Sequence, residues 1–547
     1  MKKSIQIVAG FGALVGYASS TTDLTAASLF VLGLSSRWVR QGAVLAWRSG
    51  VRACKWFRQY RAKPSDNHGS ARWTTRAEGK AAGLFGDQGL IIGKLNGRIV
   101  WHPSREASMI VFAPQGAGKG VGVVVPNLLT HKGSVICIDP KGENFAITGR
   151  TRLEHGPVWV LSMAEGAPSH CFNPFHTIET GSGREPGQAK RLAELVMAHE
   201  VTSESHWRDK AVQWLQGLIL HVAERFKDVP ERRNLSTVHN YATLSEASHR
   251  KLIEAMSLSP LSLVRALAAE WERALSGQEG ASILSTMTKG TTIYAAGGRA
   301  AAITARSDFT LPDLFNRVGT SLYLQVPLGD MTVYAGWLRV MVGLANHASM
   351  TVATFPEHRP LFMLDEAATL GEIKELQDSI GQGPAYHQKV FIYQDMAQLK
   401  NANPGWLSVI NNCHINMAFA VNDLDTAETL SRRLGDCTVA TKSVGMSGGA
   451  ASVLAHHSNE GQGEHGRRLM MPNEILHMDR NKALVSIVGL DLKGAMQVDR
   501  LRYFEERAFA GMADGWRDDA GGQGNAPMLA RVFPTLYGPT LLGPAPC

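Results

Sequence analysis

Cysteine is scarce in this sequence and shows no paired spacing. Six cysteines occur in 547 residues, and none of them forms a C-x-x-C pair. They are Cys54, Cys137, Cys171, Cys413, Cys437 and Cys547. This usage argues against a disulfide framework and indicates reduced side chains in a cytoplasmic compartment. The sequence also shows no spacing typical of metal ligands. His456, His457 and His465 lie in a Gly/Ser-rich stretch, which is typical of a solvated loop.

Outside one segment, basic residues do not outnumber acidic ones, although the formal net charge of the chain is +8. Between Arg37 and Lys63 there are eight Lys/Arg residues and no acid, so this segment accounts for the whole excess. The rest of the chain is close to neutral, which argues against a broad basic surface that binds DNA. Any path for nucleic acid must therefore be local, such as the lining of a channel.

Long hydrophobic runs are missing as well. The apolar runs Ile5–Ser20 and Leu24–Leu34 are shorter than the roughly 20 residues that span a bilayer. Lys2 and Lys3 precede the first run and arginines follow the second, which is the charge asymmetry of a membrane hairpin with both ends in the cytoplasm. We predict that residues 1–63 form a membrane anchor of two short transmembrane helices and a basic juxtamembrane helix. A signal peptide and an interfacial anchor remain alternatives.

Nine short apolar runs have the length of β-strands. They are Leu90–Gly93, Ser108–Ala113, Val135–Asp139, Val158–Ser162, Ser321–Val326, Leu361–Asp365, Val390–Gln394, Ile415–Val421 and Ala483–Val488. Most of them are continuously apolar rather than alternating, as expected for strands that helices cover on both faces. The pattern predicts a mostly parallel, RecA-like α/β sheet.

The stretch between the fourth and fifth of these runs has helical periodicity instead. Ala211, Trp214, Leu215, Leu218 and Val222 recur every three or four residues, which is typical of an amphipathic helix. About 100 residues without a strand-like run favour a separate all-α domain. Helices packed within the α/β layers are the alternative.

These patterns divide the chain into five parts. An all-α domain at 185–290 is predicted to be inserted between two parts of a nucleotide-binding domain, at 64–184 and 291–510. The tail 511–547 is rich in Gly and Pro and is predicted to be poorly ordered. The Gly/Ser/His-rich segment Thr441–Gly466 is predicted to be a mobile loop.

A glycine-rich loop follows the apolar run Met109–Phe112. After Ala113, its residues are Pro114, Gln115, Gly116, Ala117, Gly118, Lys119, Gly120 and Val121. Glycines after a buried strand let backbone N–H groups wrap a phosphate chain, and the lysine reaches the outer phosphates. Ala113 and Gly120 depart from the pattern G-x-x-x-x-G-K-[ST], so the usual hydroxyl ligand of Mg²⁺ is missing. For the loop alone, a strand–turn–helix with chance glycines is the alternative.

Two adjacent carboxylates end a second apolar run. Asp365 and Glu366 follow Leu361–Leu364. Two acids at the end of a neighbouring strand can hold Mg²⁺ and orient a water for attack on the outer phosphate. Combined with the glycine-rich loop, this pair predicts a site of nucleoside triphosphate hydrolysis.

A series of short motifs runs in order between Gly69 and Phe504. They are Gly69–Trp73, Gly118–Leu129, Asp139–Glu143, Ser307–Phe309, Leu364–Ala367, Tyr393–Leu399, Val421–Asp423, Ala427–Ser431, Leu434–Gly435 and Arg468–Ile475. Together they resemble the motifs of type IV secretion coupling proteins, the TraG-like membrane ATPases of bacterial conjugation and effector export. A glycine after the lysine is common in that family, so Gly120 supports the resemblance.

The resemblance implies an ATPase that uses Mg²⁺ and assembles as a ring, a homo-hexamer, at the bacterial inner membrane. The loop residues 114–121 would bind the phosphates of ATP, and Asp365 would hold Mg²⁺. Glu366 would act as general base or position the attacking water. Gln394 would sense the γ-phosphate, although a buried amide that satisfies strand-end backbone groups is an equal alternative.

Other residues have weaker claims to a role. Asp139 and Lys141 belong to a motif that lies near the nucleotide in the family. Some relatives carry an arginine just upstream of the glutamine strand, thought to reach a neighbour's nucleotide, but Gly381–His387 contains none. The arginines that could take its place are Arg306, Arg432 and Arg433, each of which could equally form a surface salt bridge.

The resemblance also implies a class of substrate. The helical domain would receive a relaxase–DNA complex or an effector protein and pass it to the secretion channel, although charge alone does not indicate DNA contact. Two other functions remain open. One is a membrane-tethered DNA translocase of the FtsK/HerA type, and the other is a docking receptor whose nucleotide site mainly stabilises assembly.

Overall fold

The computed structural model describes residues 65–198, 205–275, 277–352, 356–373, 376, 386–447, 457–515 and 532–533. The predicted membrane anchor at 1–63 and most of the tail after residue 515 lie outside these residues. Within the described part of the chain, no helix is both long enough and apolar enough to cross a membrane.

The described residues form thirteen strands. They are β1 Leu90–Leu95, β2 Arg98–His102, β3 Met109–Phe112, β4 Val135–Ile138, β5 Val158–Ser162, β6 Ser321–Gln325, β7 Leu361–Leu364, β8 Gln388–Tyr393, β9 Ile415–Phe419, β10 Asp436–Ser447, β11 His457–Arg468, β12 Lys482–Ile487 and β13 Met496–Asp499. Each of the nine runs predicted to be strands contains or overlaps one of them.

The described α-helices are numbered here in chain order. They are α1 Arg76–Ala81, α2 Val125–Thr130, α3 Glu143–His155, α4 Glu185–Met197, α5 Ser205–Arg225, α6 Leu235–Ala242, α7 Glu246–Ser257, α8 Ser262–Leu275, α9 Gln278–Thr291, α10 Arg299–Ile303, α11 Leu311–Asn316, α12 Ala335–Met350, α13 Met396–Ala402, α14 Trp406–Asn412, α15 Leu424–Leu434 and α16 Pro472–Leu476. The described residues divide into two compact units, one within 65–70 and 436–467 and the other within 71–435 and 468–533.

One eleven-stranded sheet runs through the larger unit, in the order β2-β1-β13-β12-β9-β3-β8-β7-β4-β6-β5. Neighbouring strands from β9 to β5 are parallel. The pairs that add β12, β13, β1 and β2 are antiparallel. The prediction of a mostly parallel, RecA-like α/β sheet is therefore confirmed.

Side chains of the central strands alternate between two buried faces. In β3, Ile110 and Phe112 belong to one apolar cluster, whereas Met109 and Val111 belong to another. Strands β3, β4, β7, β8 and β9 are buried along their whole length. Because neither face meets water, these strands are mostly apolar on both faces, and their few polar residues, such as Lys389 and Asn416, are buried too.

Helices α4–α9 lie between β5 and β6 in the chain. In α5, the predicted apolar positions are buried, and Trp214 stacks on Trp271 of α8 with ring centroids 4.8 Å apart. The buried side chains of these helices belong to the same apolar cluster as Ile110 and Phe112 of the sheet. The helical segment therefore packs around an aromatic pair and is continuous with the core on one face of the sheet.

In the smaller unit, β10 and β11 pair as a two-stranded sheet. The prediction of a mobile loop at Thr441–Gly466 is therefore wrong for 441–447 and 457–466, which are extended and paired. Its glycines and serines suggested a loop. However, the β-branched residues Thr438, Val439 and Thr441 favour extended backbone, and pairing between two strands satisfies that backbone.

Candidate active site

The strand order β3-β8-β7-β4 places the carboxyl ends of four parallel strands side by side. From these ends the chain continues into the glycine-rich loop, Gln394, the Asp365–Glu366 pair and Asp139, respectively. Ligands of open α/β sheets bind at this edge. The topology thus assembles in one place the residues that the sequence predicted from separate motifs.

Two backbone hydrogen bonds close the glycine-rich loop. The Ala117 N–H donates to the Pro114 carbonyl at 3.1 Å, and the Gly122 N–H donates to the Gly118 carbonyl at 2.9 Å. Gly116 and Gly118 have φ angles of 75° and 88°, in the left-handed region that favours glycine. Among the described residues, the N–H groups of these two glycines have no acceptor, so they are available to an anion.

A π-helical turn, Gly120–Val124, leads from the loop into α2. A Cβ atom added at Gly120 would meet no heavy atom within 4 Å. Contacts of a Cβ atom therefore do not explain the absence of a hydroxyl residue at this position.

Asn127 ties the helix after the loop to the sheet. Its side chain is buried, and its Oδ1 accepts a hydrogen bond from the Ile91 N–H at 2.8 Å. Its Nδ2 donates to the Ile91 carbonyl at 3.1 Å and to the Val123 carbonyl at 2.8 Å. The start of α2 is therefore held against β1 by one side chain that forms three hydrogen bonds.

Lys119 joins the loop to both carboxylates. Its Nζ lies 2.7 Å from Asp365 Oδ1 and 2.6 Å from Glu366 Oε1. The three side chains are between 13% and 19% exposed, so the solvent screens their charges only partly. The lysine and the two acids, which are far apart in sequence, form one ion cluster.

Burial and the neighbouring charges have opposite effects on the pKa values of Lys119 and Asp365. Burial lowers the pKa of Lys119, but attraction to Asp365 and Glu366 outweighs it, so the pKa lies above its usual value. Burial raises the pKa of Asp365, and the ion pair with Lys119 offsets only part of that rise. Asp365 is thus a desolvated carboxylate whose ionised form is stabilised by Lys119.

Glu366 is held in an uncommon backbone conformation, with φ 62° and ψ 45°. A left-handed conformation at a non-glycine residue costs about 1 kcal/mol or more, and such residues cluster at functional sites. Gln394 Nε2 donates to Glu366 Oε2 at 3.2 Å, on the oxygen that Lys119 does not contact. The carboxylate is therefore fixed from both sides, and the Gln394 amide is directed into the site.

Asp139 and Lys141, which had weaker support from the sequence, differ in burial and in location. Asp139 is fully buried, and its two oxygens accept hydrogen bonds from the backbone N–H groups of Asn144 and Phe145 at the start of α3. Burial raises its pKa to about 7, against the lowering effect of those hydrogen bonds. Lys141 is exposed in the turn that precedes α3. Of the two, only Asp139 borders the ion cluster, where the charge of Asp365 contributes to its raised pKa.

Sequence reasoning missed Arg500, which follows β13 directly. Its Nη1 donates to the Ala117 carbonyl of the glycine-rich loop at 2.8 Å. The only local signal was Gly122, a glycine outside the loop pattern that lies against the Arg500 side chain. The contact spans 383 positions of the chain, so this glycine could not identify Arg500 as the residue that approaches it.

The three arginines proposed for a trans-acting role have other surroundings. Arg306 forms an ion pair with Asp308, which is the alternative weighed for it. Arg433 donates to Asn411 Oδ1 at 3.5 Å, and burial lowers its pKa. No contact joins Arg306, Arg432 or Arg433 to the ion cluster within the described part of the chain.

The residues of this edge fit a nucleotide with Mg²⁺. Gly116 and Gly120 have no heavy atom within 4 Å of an added Cβ, which leaves room for a phosphate chain along the loop. Lys119 supplies positive charge, and Asp365 supplies the carboxylate oxygen that Mg²⁺ prefers. Without a hydroxyl at Gly120, Asp365 is the main protein group in this set that could hold the ion.

The sheet, the loop and the ion cluster together define a P-loop nucleoside triphosphatase of the RecA-like class. The chain belongs to the family described as Type IV secretory system Conjugative DNA transfer, whose profile matches residues 72–519. This family is the one that the sequence motifs resembled.

Two named relatives and two solved structures illustrate the similarity. The conjugal transfer protein TraG of Escherichia coli is 29% identical over 455 residues, covering 75% of this chain and 71% of TraG. Protein VirD4 of Agrobacterium fabrum is 28% identical over 479 residues, covering 81% of this chain and 66% of VirD4. The bacterial conjugative coupling protein TrwBΔN70 has a TM-score of 0.58 at 16% identity, covering 79% of this chain and 94% of that chain. TrwB in complex with ADP and Mg²⁺ has a TM-score of 0.56 at 15% identity, covering 79% and 94%, so these structures share the fold.

Proposed function

We propose that this protein is the coupling ATPase of a type IV secretion or conjugation system, and that ATP hydrolysis drives substrate into the secretion channel. The observation that carries the proposal is the ion cluster, in which Lys119 of the glycine-rich loop contacts both Asp365 and Glu366. Family membership supports the biological context, since the family is described by conjugative DNA transfer.

In this proposal each residue of the edge has one task. The N–H groups of Gly116 and Gly118 and the ammonium of Lys119 bind the phosphates of ATP. The Asp365 carboxylate holds Mg²⁺, which supplies charge neutralisation at the phosphates when bound. Lys119 then exchanges its carboxylate partners for phosphate oxygens, which frees Glu366.

Glu366 and Gln394 act on the attacking water. Glu366, released from Lys119, accepts the water's proton or orients the water. Gln394, already within 3.2 Å of the carboxylate, keeps Glu366 oriented and detects the γ-phosphate. The strained backbone at Glu366 supports this role, because strain at a carboxylate in such a site is typical of pre-organisation.

The substrate is proposed to be a relaxase–DNA complex or an effector protein. TraG of Escherichia coli is named a conjugal transfer protein, and VirD4 of Bartonella quintana is named a type IV secretion system-coupling protein, which supports this class of cargo. We assign substrate reception to the all-α domain at 185–290, and ATP binding to 64–184 with 291–510. The near-neutral charge of the chain beyond residue 63 favours local contacts with DNA over a broad basic surface.

Membrane attachment and assembly complete the proposal. Residues 1–63 would anchor the protein in the inner membrane as a hairpin, and six copies would form a ring. The apolar runs and the following basic segment support the anchor. A reporter fused at Asp23 tests it: the hairpin requires a periplasmic signal, and a cytoplasmic signal would contradict it.

The function is tested by transfer from donor cells that express the Glu366→Gln variant in place of the wild type. The expected result is loss of transfer with normal protein levels, because the motor binds ATP but does not cleave it. Glu372→Gln is the matched control, since Glu372 is an exposed glutamate just beyond the site. Normal transfer with Glu366→Gln would reject the motor and favour a docking receptor with a structural nucleotide site.

A further inference from the structure

Arg500 extends from the end of β13 to the back of the glycine-rich loop. Its Nη1 donates to the Ala117 carbonyl at 2.8 Å, and its Nη2 donates to Asn481 Oδ1 at 3.1 Å. Its own N–H donates to the Asn481 carbonyl at 2.6 Å. Asn481 thus holds both the backbone N–H and the guanidinium group of Arg500 in place beside the loop.

The hydrogen bond to Ala117 sets the orientation of the next peptide group. In a trans peptide the carbonyl and the following N–H point in opposite directions. An Ala117 carbonyl held by Arg500 therefore turns the Gly118 N–H away from the arginine. That N–H is one of the two loop donors without an acceptor in the described structure, so it is available to an anion on the side of the loop away from Arg500.

Arg500 also lies close to two glycines of this segment. A Cβ added at Gly118 would lie 2.5 Å from Arg500 Nη1, and one added at Gly122 would lie 3.1 Å from Arg500 Cγ. A side chain at either position would therefore require Arg500 to shift from the loop. The absence of a Cβ at both positions thus lets the Arg500 side chain lie directly against the loop backbone.

We propose that Arg500 is a positioning residue of the nucleotide site: it holds the Ala117–Gly118 peptide in the orientation that binds the phosphates of ATP. The inference rests on the proposed function, because it presumes that the loop binds ATP. Arg500 acts through the loop backbone, so its loss weakens phosphate binding more than it slows the chemical step.

The test compares the full-length wild type with Arg500→Ala and Arg500→Lys. Loss of one charge-assisted hydrogen bond to the loop is expected to weaken ATP binding about 10- to 100-fold in Arg500→Ala. The KM for ATP is expected to rise by a similar factor, while kcat stays within about threefold of the wild type. Arg500→Lys keeps the charge but lacks the planar fork, so an intermediate affinity is expected.

Two further measurements separate positioning from general stability. Displacement of a fluorescent ATP analogue by inorganic tripolyphosphate probes the phosphate cradle without the base, and the Arg500 variants should require about 10-fold more of it. Arg502→Ala is the matched control, because Arg502 also donates to Asn481 Oδ1, at 3.0 Å, but does not contact the loop. That control should bind ATP and tripolyphosphate like the wild type.

The outcomes divide clearly. Wild-type ATP affinity in a folded Arg500→Ala protein would overturn the inference while leaving the ATPase intact. If Arg500→Ala does not fold, wild-type affinity in folded Arg500→Lys has the same meaning. Equal weakening by Arg502→Ala would also overturn it, because the effect would then belong to the Asn481 network. Failure of the wild type itself to bind ATP rejects the proposed function instead.

Discussion

Replacing Lys119 by methionine removes the cation that joins the two carboxylates. In the wild type, Lys119 Nζ contacts Asp365 at 2.7 Å and Glu366 at 2.6 Å, and the Lys119 side chain is 18% exposed. Two charge-assisted hydrogen bonds contribute about 1.5–3 kcal/mol each, and partial exposure reduces that sum. We expect the nucleotide-free Lys119→Met protein to lose about 2–4 kcal/mol of unfolding free energy at pH 7.5.

The loss should depend on pH in a defined direction. Without the lysine, the raised pKa of Asp365 rises further, whereas the unfolded chain keeps the usual carboxyl pKa of 3.8. The unfolded state then binds fewer protons than the folded state above that value, so the variant loses stability as the pH rises. The raised pKa of Lys119 means that its own contribution is complete at pH 7.5 and disappears only above its usual value of 10.5.

Urea denaturation at pH 5 and pH 7.5 measures this effect. The stability difference between Lys119→Met and the wild type should be larger at pH 7.5, and adding Asp365→Asn to the variant should recover part of it. Lys482→Met is the control, because Lys482 pairs with Asp499 at 2.7 Å but both side chains are more than a third exposed. Its loss should stay below about 1 kcal/mol. An equally stable Lys119→Met protein, or a deficit that is the same at both pH values, refutes the reasoning.

Three further predictions follow from single contacts. Asn127→Ala leaves the N–H and carbonyl of Ile91 unpaired, so the unfolding free energy should fall by about 3 kcal/mol in urea titrations; a loss below about 0.5 kcal/mol contradicts this. Because the pKa of Asp139 is raised to about 7 from 3.8, wild-type stability should fall between pH 4 and pH 7, and Asp139→Asn should flatten that slope. An unchanged slope in urea midpoints argues against it. Gln394→Ala should lower kcat for ATP about 10-fold at constant KM, since it loses the hydrogen bond to Glu366; wild-type kcat would favour a purely structural amide.

Much of the central sheet could be predicted because its strands are buried on both faces. The run Met109–Phe112 became β3, and Leu361–Leu364 became β7, with every residue buried. The strand β2 was missed, since Arg98–His102 has an exposed charged residue and lies at the sheet edge. The strand β13 was missed because its four residues alternate between buried and half-buried positions. Edge and antiparallel strands give a weaker signal than central parallel ones.

The parts of the candidate site that could be predicted are those in which the functional residues lie within short sequence motifs. Lys119, Asp365, Glu366 and Gln394 come together as the motifs indicated, because the carboxyl ends of neighbouring parallel strands share one edge. The backbone strain at Glu366 has no sequence signal, since glutamate has no preference for a positive φ.

Long-range support of the site could not be predicted in the same way. Arg500 reaches the loop only because β13 is inserted between β1 and β12, an arrangement set by tertiary pairing. The hairpin of β10 and β11 was likewise mistaken for a loop, because composition outweighed the pairing that stabilises it.

The central claim is that the ion cluster is the centre of ATP hydrolysis. The most direct measurement is ATP turnover and ATP affinity of the purified full-length protein with and without the Glu366→Gln substitution. We expect the variant to bind ATP within about threefold of the wild type and to lose at least about 100-fold in kcat, as for removal of a general base. Turnover at the wild-type rate by Glu366→Gln would contradict the account.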